Sequence, residues 1–391
     1  MTDACPACSS ADLEVVYEKR GIPVNSCLLV DTEQEAREFP LGDMRLAFCR
    51  ACGFLFNADF EPSKATYSTA YEETQGFSPH FREFARFLAH RWIDSFDIHG
   101  KNVLEIGCGK AEFLSLICEL GGNHGIGVDP SAIPERLPSS GGQVRLIQDF
   151  YSEKYADLPA DVLICRHTLE HIGPVAEFMT SLRSAIGDRT DMVVLFELPD
   201  VLRVLREVAF WDVYYEHCSY FSLGSMARLF RRTGFEVTDL DVVYDGQYLL
   251  IEARPSSVPA AGEPLSQEDD LEDLAKGVET YRNGIRDLIN RWRSELSEVA
   301  GRGGKPVIWG GGSKGVAYLS TLGIDDSVRC AVDINPYKQD KFLAGTGQRV
   351  VAPSFLRGYR PELVVAMNPV YQSEIECDLR AVGVDATVKA V

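Results

Sequence analysis

Two short histidine-containing segments carry the residue types needed for proton transfer. The first, 214–217, is Tyr-Tyr-Glu-His and combines phenol, carboxylate and imidazole. An imidazole takes up protons near neutral pH, a carboxylate can orient it, and the Tyr214 phenol can donate to a developing oxyanion. Because neighbouring side chains on a strand point to opposite faces, Glu216 and His217 can share one pocket only on a turn or irregular loop. The alternative is an aromatic loop packed on a sheet.

The second segment, 165–172, contains His167 and His171. It follows an apolar run, 161–165, that predicts a strand. Ligands bind at the carboxyl ends of strands in doubly wound sheets. We therefore expect these histidines to face the ligands bound at that edge of the sheet. The alternative is that one of them caps the following helix or packs in its first turn.

A glycine-containing loop predicts a nucleoside cofactor. The apolar run 103–106 leads into it, and its marker residues are Glu105, Gly107, Gly109 and Ala111. About twenty residues later, Asp129 and Pro130 end a second run, and Asp129 can accept hydrogen bonds from ribose hydroxyls. A dinucleotide-binding fingerprint would need glycine at position 112, where this chain has Glu112. The pattern instead resembles the first motif of class I S-adenosylmethionine (SAM) methyltransferases, the alternative being an ordinary tight turn in a Rossmann-like unit.

A second loop, 310–315, does satisfy the Gly-x-Gly-x-x-Gly pattern and is followed by the acid Asp333. The segment around it is only about half of a full dinucleotide-binding fold. Three interpretations stay open: a docking surface for substrate, a purely architectural unit, and nicotinamide binding. Lys314, beside the loop at a helix N-terminus, can hold a phosphate or be a solvated surface lysine.

Two Cys-x-x-Cys pairs predict a metal site near the N-terminus, and their residues are Cys5, Cys8, Cys49 and Cys52. Each pair can place two thiolates on one tetrahedral ion. Four thiolates leave no open position for substrate water, so we predict closed, structural zinc rather than a catalytic metal. The alternative is four unrelated thiols. The long gap between the pairs requires an inserted segment, and Cys27 lies within it.

The elements around these motifs alternate between strand and helix. Apolar runs at 103–106, 125–128, 161–165 and 192–198 are separated by helical stretches, which predicts a mostly parallel sheet covered on both faces. A helical apolar period predicts one long helix over 268–300. We divide the chain into a zinc-binding domain (1–65), a methyltransferase domain (66–256), a linker with the long helix (257–303) and a C-terminal Rossmann-like domain (304–391).

Composition excludes several classes of partner. The chain has 391 residues and a formal net charge of −19, which argues against nucleic acid and against anionic membranes. No run of 18 apolar residues and no signal peptide is present, so we expect a cytoplasmic protein. Eleven cysteines in such a chain favour thiols and a metal site over disulfides. The sequence does not decide between monomer and dimer.

The order of these motifs resembles one family, the three-domain C-methyltransferases of deoxysugar biosynthesis. The resemblance covers nearly the whole chain, from the cysteine pairs through 105–109, 169–172 and 214–217 to 310–315 and 333–338. It implies an α/β fold: a class I SAM methyltransferase (Rossmann-like) domain with an N-terminal zinc-binding domain and a C-terminal Rossmann-like α/β domain. It also implies methylation of carbon 3 of a nucleotide-linked 4-keto sugar.

The resemblance further implies a role for each motif. His217 would be the base that forms an enolate, Glu216 and Tyr214 would support the base and the enolate oxygen, and His171 would line the sugar pocket. SAM would lie along the first glycine loop. Its other predicted contacts are Asp129 and Pro130 at the ribose, Asp149 and Phe150 near adenine, and His167.

The chain departs from this family in two places. The segment 71–79 replaces a serine-rich one, although Tyr71 can still be an active-site phenol, and the loop 310–315 lacks the expected alanine and proline. Both departures concern the acceptor. Competing functions are an O- or N-methyltransferase of a small natural-product or sugar acceptor, with His217 or His167 as base, a nicotinamide oxidoreductase, and a zinc-organised binding protein that keeps SAM as a ligand.

Overall fold

The computed structural model describes residues 3–137, 143–258, 262–324 and 327–391. The strands are β1 (Leu13–Pro23), β2 (Leu41–Cys49), β3 (Leu55–Asn57), β4 (Asn102–Ile106), β5 (His124–Val128), β6 (Val144–Ile147), β7 (Val162–Arg166), β8 (Val193–Pro199), β9 (Ser219–Tyr220), β10 (Phe235–Val243), β11 (Tyr248–Pro255), β12 (Pro306–Trp309), β13 (Cys330–Val332), β14 (Arg349–Val351), β15 (Leu363–Ala366) and β16 (Thr387–Ala390). The helices are α1 (Glu33–Arg37), α2 (Pro79–Phe96), α3 (Glu112–Gly121), α4 (Val175–Ile186), α5 (Val201–Glu207), α6 (Leu223–Arg232), α7 (Leu271–Gly301), α8 (Ser313–Leu322), α9 (Leu356–Tyr359) and α10 (Gln372–Ala381).

The central sheet has seven strands in the order β6-β5-β4-β7-β8-β11-β10. The first five are parallel, and β11 runs antiparallel to both of its neighbours. Successive side chains of its central strands alternate between two apolar clusters: Val103 packs with α2 and α3, and Leu104 packs with α4 and α6. Burial of both faces explains the continuous apolar runs. This order and the two helical layers confirm the predicted class I methyltransferase fold.

The N-terminal sheet has the order β1-β2-β3-β9, with each strand antiparallel to the next. Its last strand, β9, comes from the region after His217 and pairs with β3. The amide of Asn57 also donates to the carbonyl of Cys218 at 2.9 Å. β3, which comes after the second cysteine pair, is therefore hydrogen-bonded directly to the backbone beside the predicted base.

The C-terminal sheet is entirely parallel, in the order β14-β13-β12-β15-β16. Helix α7, expected over 268–300, runs for 31 residues and packs against α5, β1 and α8. Its buried side chains join a cluster that includes residues of all three regions. The exact domain boundaries given above stay a prediction. Among the described residues, no helix combines the length and apolarity needed to cross a membrane.

Candidate active site

One cavity of about 1140 Å³ lies where the three sheets meet. Its wall includes Cys27 from the N-terminal region, the first glycine loop and His217 from the central region, and Gly312 from the C-terminal region. Pockets for one small molecule reach roughly 1,000 Å³. The cavity therefore has room for a cofactor and an acceptor together.

The first glycine loop joins β4 to α3 at the carboxyl edge of the central sheet. Gly107 and Gly109 have φ values of 70° and 52°, which glycine adopts without strain. Ala111, at the position where SAM enzymes usually have a third glycine, also has a left-handed φ of 59°. Glu105 is buried below the loop, and one of its carboxylate oxygens has no hydrogen-bond partner. Burial raises the pKa of Glu105 to about 8.

The residues predicted to hold the nucleoside take different positions. Asp129 accepts hydrogen bonds from the amides of Gly109 at 2.9 Å and Ser131 at 2.6 Å, and it lines the cavity. Pro130 and Phe150 also line the cavity. The carboxylate of Asp149 instead binds Lys154 and Tyr155, outside the cavity wall. The Asp149 carboxylate is therefore engaged outside the cavity wall, and its contact with adenine stays a prediction.

His167 lies between two buried carboxylates at the end of β7. Its Nε2 is 3.1 Å from Glu197 and its Nδ1 is 3.6 Å from Glu170. Arg166 also binds Glu197 at 2.5 Å. Burial opposes a charged ring, but the two carboxylates outweigh it and raise the pKa of His167 to about 9. His167 is therefore a fixed cation at neutral pH and is unsuited to be a general base.

Residues 214–217 form an irregular turn, which is the local structure that two neighbouring side chains would need to enter one pocket. The Tyr214 hydroxyl is 3.0 Å from Nε2 of His217, and both residues line the cavity. Burial, reinforced by the nearby His171, lowers the pKa of His217 well below its usual value. The ring is therefore neutral at physiological pH and has a lone pair with which to accept a proton.

Glu216 does not share this pocket, which corrects its expected role beside His217. Its carboxylate accepts hydrogen bonds from Asn25 at 3.0 Å and from the amide of Ser26 at 3.0 Å, and it is fully buried. Asn25 also accepts from the amide of Thr66 at 3.0 Å. Glu216 therefore fixes the N-terminal insertion against the cavity wall and acts on the site only by positioning.

A second imidazole–phenol pair faces the first. Nδ1 of His171 is 2.9 Å from the hydroxyl of Tyr67, and the rings of His171 and His217 cross at a centroid distance of 4.7 Å. Tyr71 is buried in the same wall, with its ring 5.3 Å from that of Tyr67. Sequence reasoning identified Tyr71 and missed Tyr67. The only signal was a repeat of tyrosine four residues apart.

The N-terminal insertion reaches both other regions. Leu28 forms an isolated bridge with Tyr71, and Val30 forms one with Phe342. Cys27 lies in the cavity wall with its Sγ 3.1 Å from the hydroxyl of Ser313. The insertion between the cysteine pairs therefore closes one side of the cavity, and Cys27 belongs to that wall.

The second glycine loop lines the opposite side of the cavity. The carboxylate of Asp333 accepts from the amide of Gly311 at 2.9 Å and lies 3.4 Å from the ammonium of Lys338. The Lys338 ammonium also lies against Gly312. The Asp333 carboxylate is therefore already engaged by an amide and an ammonium, which disfavours its use as the ribose acceptor in nicotinamide binding.

Lys314 is not a solvated surface lysine. Its ammonium binds Asp212, and Arg203 binds the other oxygen of Asp212 at 2.6 Å. Both cations line the cavity. Burial lowers the pKa of Lys314 despite its acidic partner. Two cations therefore share the Asp212 carboxylate at the N-terminus of α8, where a phosphate group is also favoured by the helix dipole.

The four N-terminal cysteines form one cluster. Sγ of Cys5 is 3.7 Å from that of Cys52, and Sγ of Cys8 is 3.6 Å from that of Cys49. All four sulfur atoms lie within 4.8 Å of one another. Zinc–sulfur bonds of about 2.3 Å in a tetrahedron separate the sulfurs by about 3.8 Å. The cluster therefore has the dimensions of a tetrathiolate zinc site.

We expect the charged state of His167 to make folding stability depend on pH. Its pKa is higher in the folded than in the unfolded chain, so its stabilising effect is complete below about pH 6.5 and is lost as pH rises through 9. Chemical denaturation at pH 6 and pH 9.5 should show a loss of up to about 3 kcal/mol in the wild type that H167Q lacks. Parallel pH profiles for the two proteins would contradict this.

Two known families match adjacent parts of the chain. A family described as a methyltransferase domain matches residues 78–240, and one described as a C-methyltransferase C-terminal domain matches residues 255–386. The C-methyltransferase NovU of Streptomyces niveus is 25% identical over 95% of this chain and 91% of its own. The ribosomal protein L11 methyltransferase of Histophilus somni is 31% identical over only 27% of this chain and 36% of its own.

Among solved structures, the 1,6-didemethyltoxoflavin-N1-methyltransferase of Burkholderia thailandensis is 19% identical, with a TM-score of 0.36 over 45% of this chain and 80% of that one. The two adjacent family matches and the relative that is similar over almost the full length support a C-methyltransferase family. The chain is a SAM-dependent methyltransferase.

Proposed function

We propose that this C-methyltransferase acts on the carbon next to the ketone of a nucleotide-linked keto-deoxysugar. The observation that carries the proposal is the neutral His217 held by Tyr214 in a cavity shared with the glycine loop. A ketone acidifies the neighbouring C–H, and a neutral imidazole can remove that proton. The electron pair of the broken C–H bond moves to the ketone oxygen and gives an enolate.

Each residue of the two imidazole–phenol pairs has a distinct task in this reaction. His217 holds the abstracted proton, and the Tyr214 hydroxyl supports the enolate oxygen. His171 and Tyr67 face them across the pocket and orient the sugar. When bound, SAM supplies an electrophilic methyl group for the nucleophilic carbon. Glu105, Gly107, Gly109 and Asp129 are placed to hold it, because they line the cavity at the carboxyl ends of β4 and β5.

A nucleotide-linked acceptor is supported by the opposite wall. The N-terminus of α8, with Gly312 and Ser313, lines the cavity together with Arg203 and Lys314. These groups offer backbone donors and two cations that share the Asp212 carboxylate, and donors of these kinds bind a diphosphate. Lys314 on this wall is near enough to His217 for its charge to act on that imidazole, so one acceptor can extend between them.

The acceptor assignment is tested with a nucleoside diphosphate 4-keto-6-deoxysugar deuterated at carbon 3. Incubated with SAM, the protein should yield a methylated sugar that has lost one deuterium, because the C–D bond must break before the methyl transfers. A methylated product that keeps all its deuterium would identify an O- or N-methyltransferase. Absence of any product with nucleotide-linked keto sugars, while a nucleotide-free ketone is methylated, would contradict the nucleotide part of the proposal.

We further propose that the four-cysteine cluster holds a structural zinc ion. Four sulfur ligands leave no open position, so the ion would organise the N-terminal region and take no part in the reaction. The two pairs adopt matching turns: the amide of Ser9 donates to the carbonyl of Cys5 at 2.8 Å, and that of Gly53 donates to Cys49 at 2.9 Å. Ser9 and Gly53 both have left-handed φ values, 65° and 75°.

Asp129 provides a direct test of the cofactor site. D129A should weaken SAM binding by about 10- to 100-fold, because it removes an acceptor for the ribose and frees the amide of Gly109. Titration calorimetry with SAM measures this. The matched control is D157A, at an exposed position outside the cavity wall, which should bind SAM like the wild type. Equal affinities for both variants would remove Asp129 from the site.

A further inference from the structure

The segment 71–78, here named the strap, lies across the first glycine loop. The Lys110 ammonium donates to the carbonyl of Tyr71 at 2.7 Å and to that of Ser131 at 2.9 Å, which fastens the start of the strap to the central domain. At its end, the Ser78 hydroxyl donates to Glu374 at 2.8 Å. The strap is therefore held by side chains of both the central and the C-terminal regions.

Glu72 adds a second bond between the strap and both regions. Its carboxylate accepts from Arg136 at 2.6 Å and from Asn335 at 2.9 Å. These partners leave Glu72 fully paired. The next residue, Glu73, lines the cavity, whereas Glu72 does not.

Glu73 projects from the strap onto Gly109. A Cβ atom at position 109 would clash with the Glu73 carboxylate, so this contact requires glycine at that position. The side chain is 32% exposed, and that surface faces the cavity. Its other oxygen is 3.3 Å from the Lys110 ammonium. Because Lys110 is already shared with two carbonyls, it neutralises Glu73 only in part.

The charges around Glu73 are predominantly acidic. Asp129 faces it from the end of β5 and Glu72 flanks it on the strap, whereas the Lys110 ammonium acts in the opposite direction. Glu72 is balanced by Arg136. Burial raises the pKa of Glu73 to about 7, against the effect of Lys110. A cation placed above Gly109 would relieve this excess of carboxylates.

We propose that Glu73 is a cofactor-positioning residue whose carboxylate binds the α-ammonium group of SAM above Gly109. SAM carries an ammonium on its amino-acid end, and Glu73 lines the same cavity as the glycine loop proposed above to hold SAM. A charge-assisted hydrogen bond of this kind, within a partly closed cavity, discriminates strongly for a ligand with the ammonium. The proposal goes beyond the methyl acceptor and does not depend on it, because it concerns only the methyl donor.

Comparing the affinities for three adenosine ligands separates the contribution of the ammonium from that of the rest of the cofactor. S-adenosylhomocysteine keeps the ammonium and lacks the sulfonium, and 5′-methylthioadenosine lacks the amino-acid end altogether. In titration calorimetry, E73Q should bind SAM and S-adenosylhomocysteine about 10- to 100-fold more weakly than the wild type. Its affinity for 5′-methylthioadenosine should stay within about twofold. The matched control is E119Q, an exposed glutamate on α3, which should leave all three affinities unchanged.

Proton release on ligand binding provides a second test of the proposal, and it needs no methyl transfer. Binding an ammonium draws Glu73 into its charged form, so the wild type should release a fraction of a proton at pH 7. Calorimetry of S-adenosylhomocysteine binding in two buffers with different ionisation enthalpies measures this release, which E73Q should lack. Equal weakening of all three ligands would show that the strap is merely structural, and weakening of SAM alone would place Glu73 at the sulfonium. Either result overturns the proposal.

Discussion

H217N is expected to lower the rate of methyl transfer by about 10²- to 10⁴-fold while leaving SAM affinity within about twofold of the wild type. Asparagine keeps the approximate size of the side chain and removes the basic nitrogen. Tyr214 would keep its place beside the new amide. Single-turnover transfer of a labelled methyl group, with the acceptor saturating, measures the chemical step separately from cofactor binding, which calorimetry measures.

The pH dependence of the wild type sharpens this prediction. Because burial holds the pKa of His217 well below its usual value, the ring stays in its base form as the solution is acidified. The acidic limb of kcat/KM should therefore fall below the ordinary histidine value of about 6.5. An acidic limb at or above that value would indicate a different base.

A matched control separates this effect from the loss of any histidine. H90N lies on the exposed face of α2, outside the cavity wall, and should retain full activity. Y214F should show an intermediate loss, since it removes the hydroxyl that contacts Nε2 and leaves the imidazole in place. If H217N transferred methyl groups as fast as H90N with SAM bound equally well, His217 would be excluded as the base.

The cofactor half of the site was predictable from the sequence because its signal is local. A strand, a glycine loop, a helix and a second strand follow one another within 30 residues, and each element is fixed by its own apolar period and turn chemistry. The observed β4 and β5, Asn102–Ile106 and His124–Val128, begin within one residue of the predicted runs. The same reasoning located α7 to within three residues of its observed start.

The acceptor half was less predictable because its contacts join distant parts of the chain. Glu216 was expected beside His217, but Asn25 and Ser26 compete for its carboxylate from about 190 residues away. Tyr67 contacts His171, which is more than 100 residues away in the chain, and no spacing in the sequence predicts that contact. Lys314 could be placed at a helix N-terminus from sequence, whereas its partner Asp212 required the packing of α8 on the central region.

C52S is expected to remove bound zinc and to lower the midpoint of thermal unfolding by about 10 °C or more. A structural zinc ion contributes its binding free energy to folding, and three remaining thiolates hold it far less tightly. The cluster is buried with Phe54 and Phe56 in the core that reaches the central sheet. Elemental analysis of the purified protein and differential scanning calorimetry measure the two effects.

The loss should extend to methyl transfer, although the ion has no open coordination position. β3 begins three residues after Cys52 and pairs with β9, and Asn57 is hydrogen-bonded to Cys218, the neighbour of His217. Disorder in the turn of the second cysteine pair therefore disturbs the backbone that positions the base. Removing zinc from the wild type with a chelator should lower activity and stability together, and adding zinc back should restore both.

The matched control is C377S, which changes an exposed thiol on α10 that is not part of the cluster. It should keep about one zinc ion per chain, the wild-type unfolding midpoint and full activity. A catalytic metal would give a different pattern, because chelation would then abolish methyl transfer without a comparable loss of stability. Full stability of C52S without zinc would show instead that the four cysteines are ordinary buried thiols, and that packing alone holds β3 against β9.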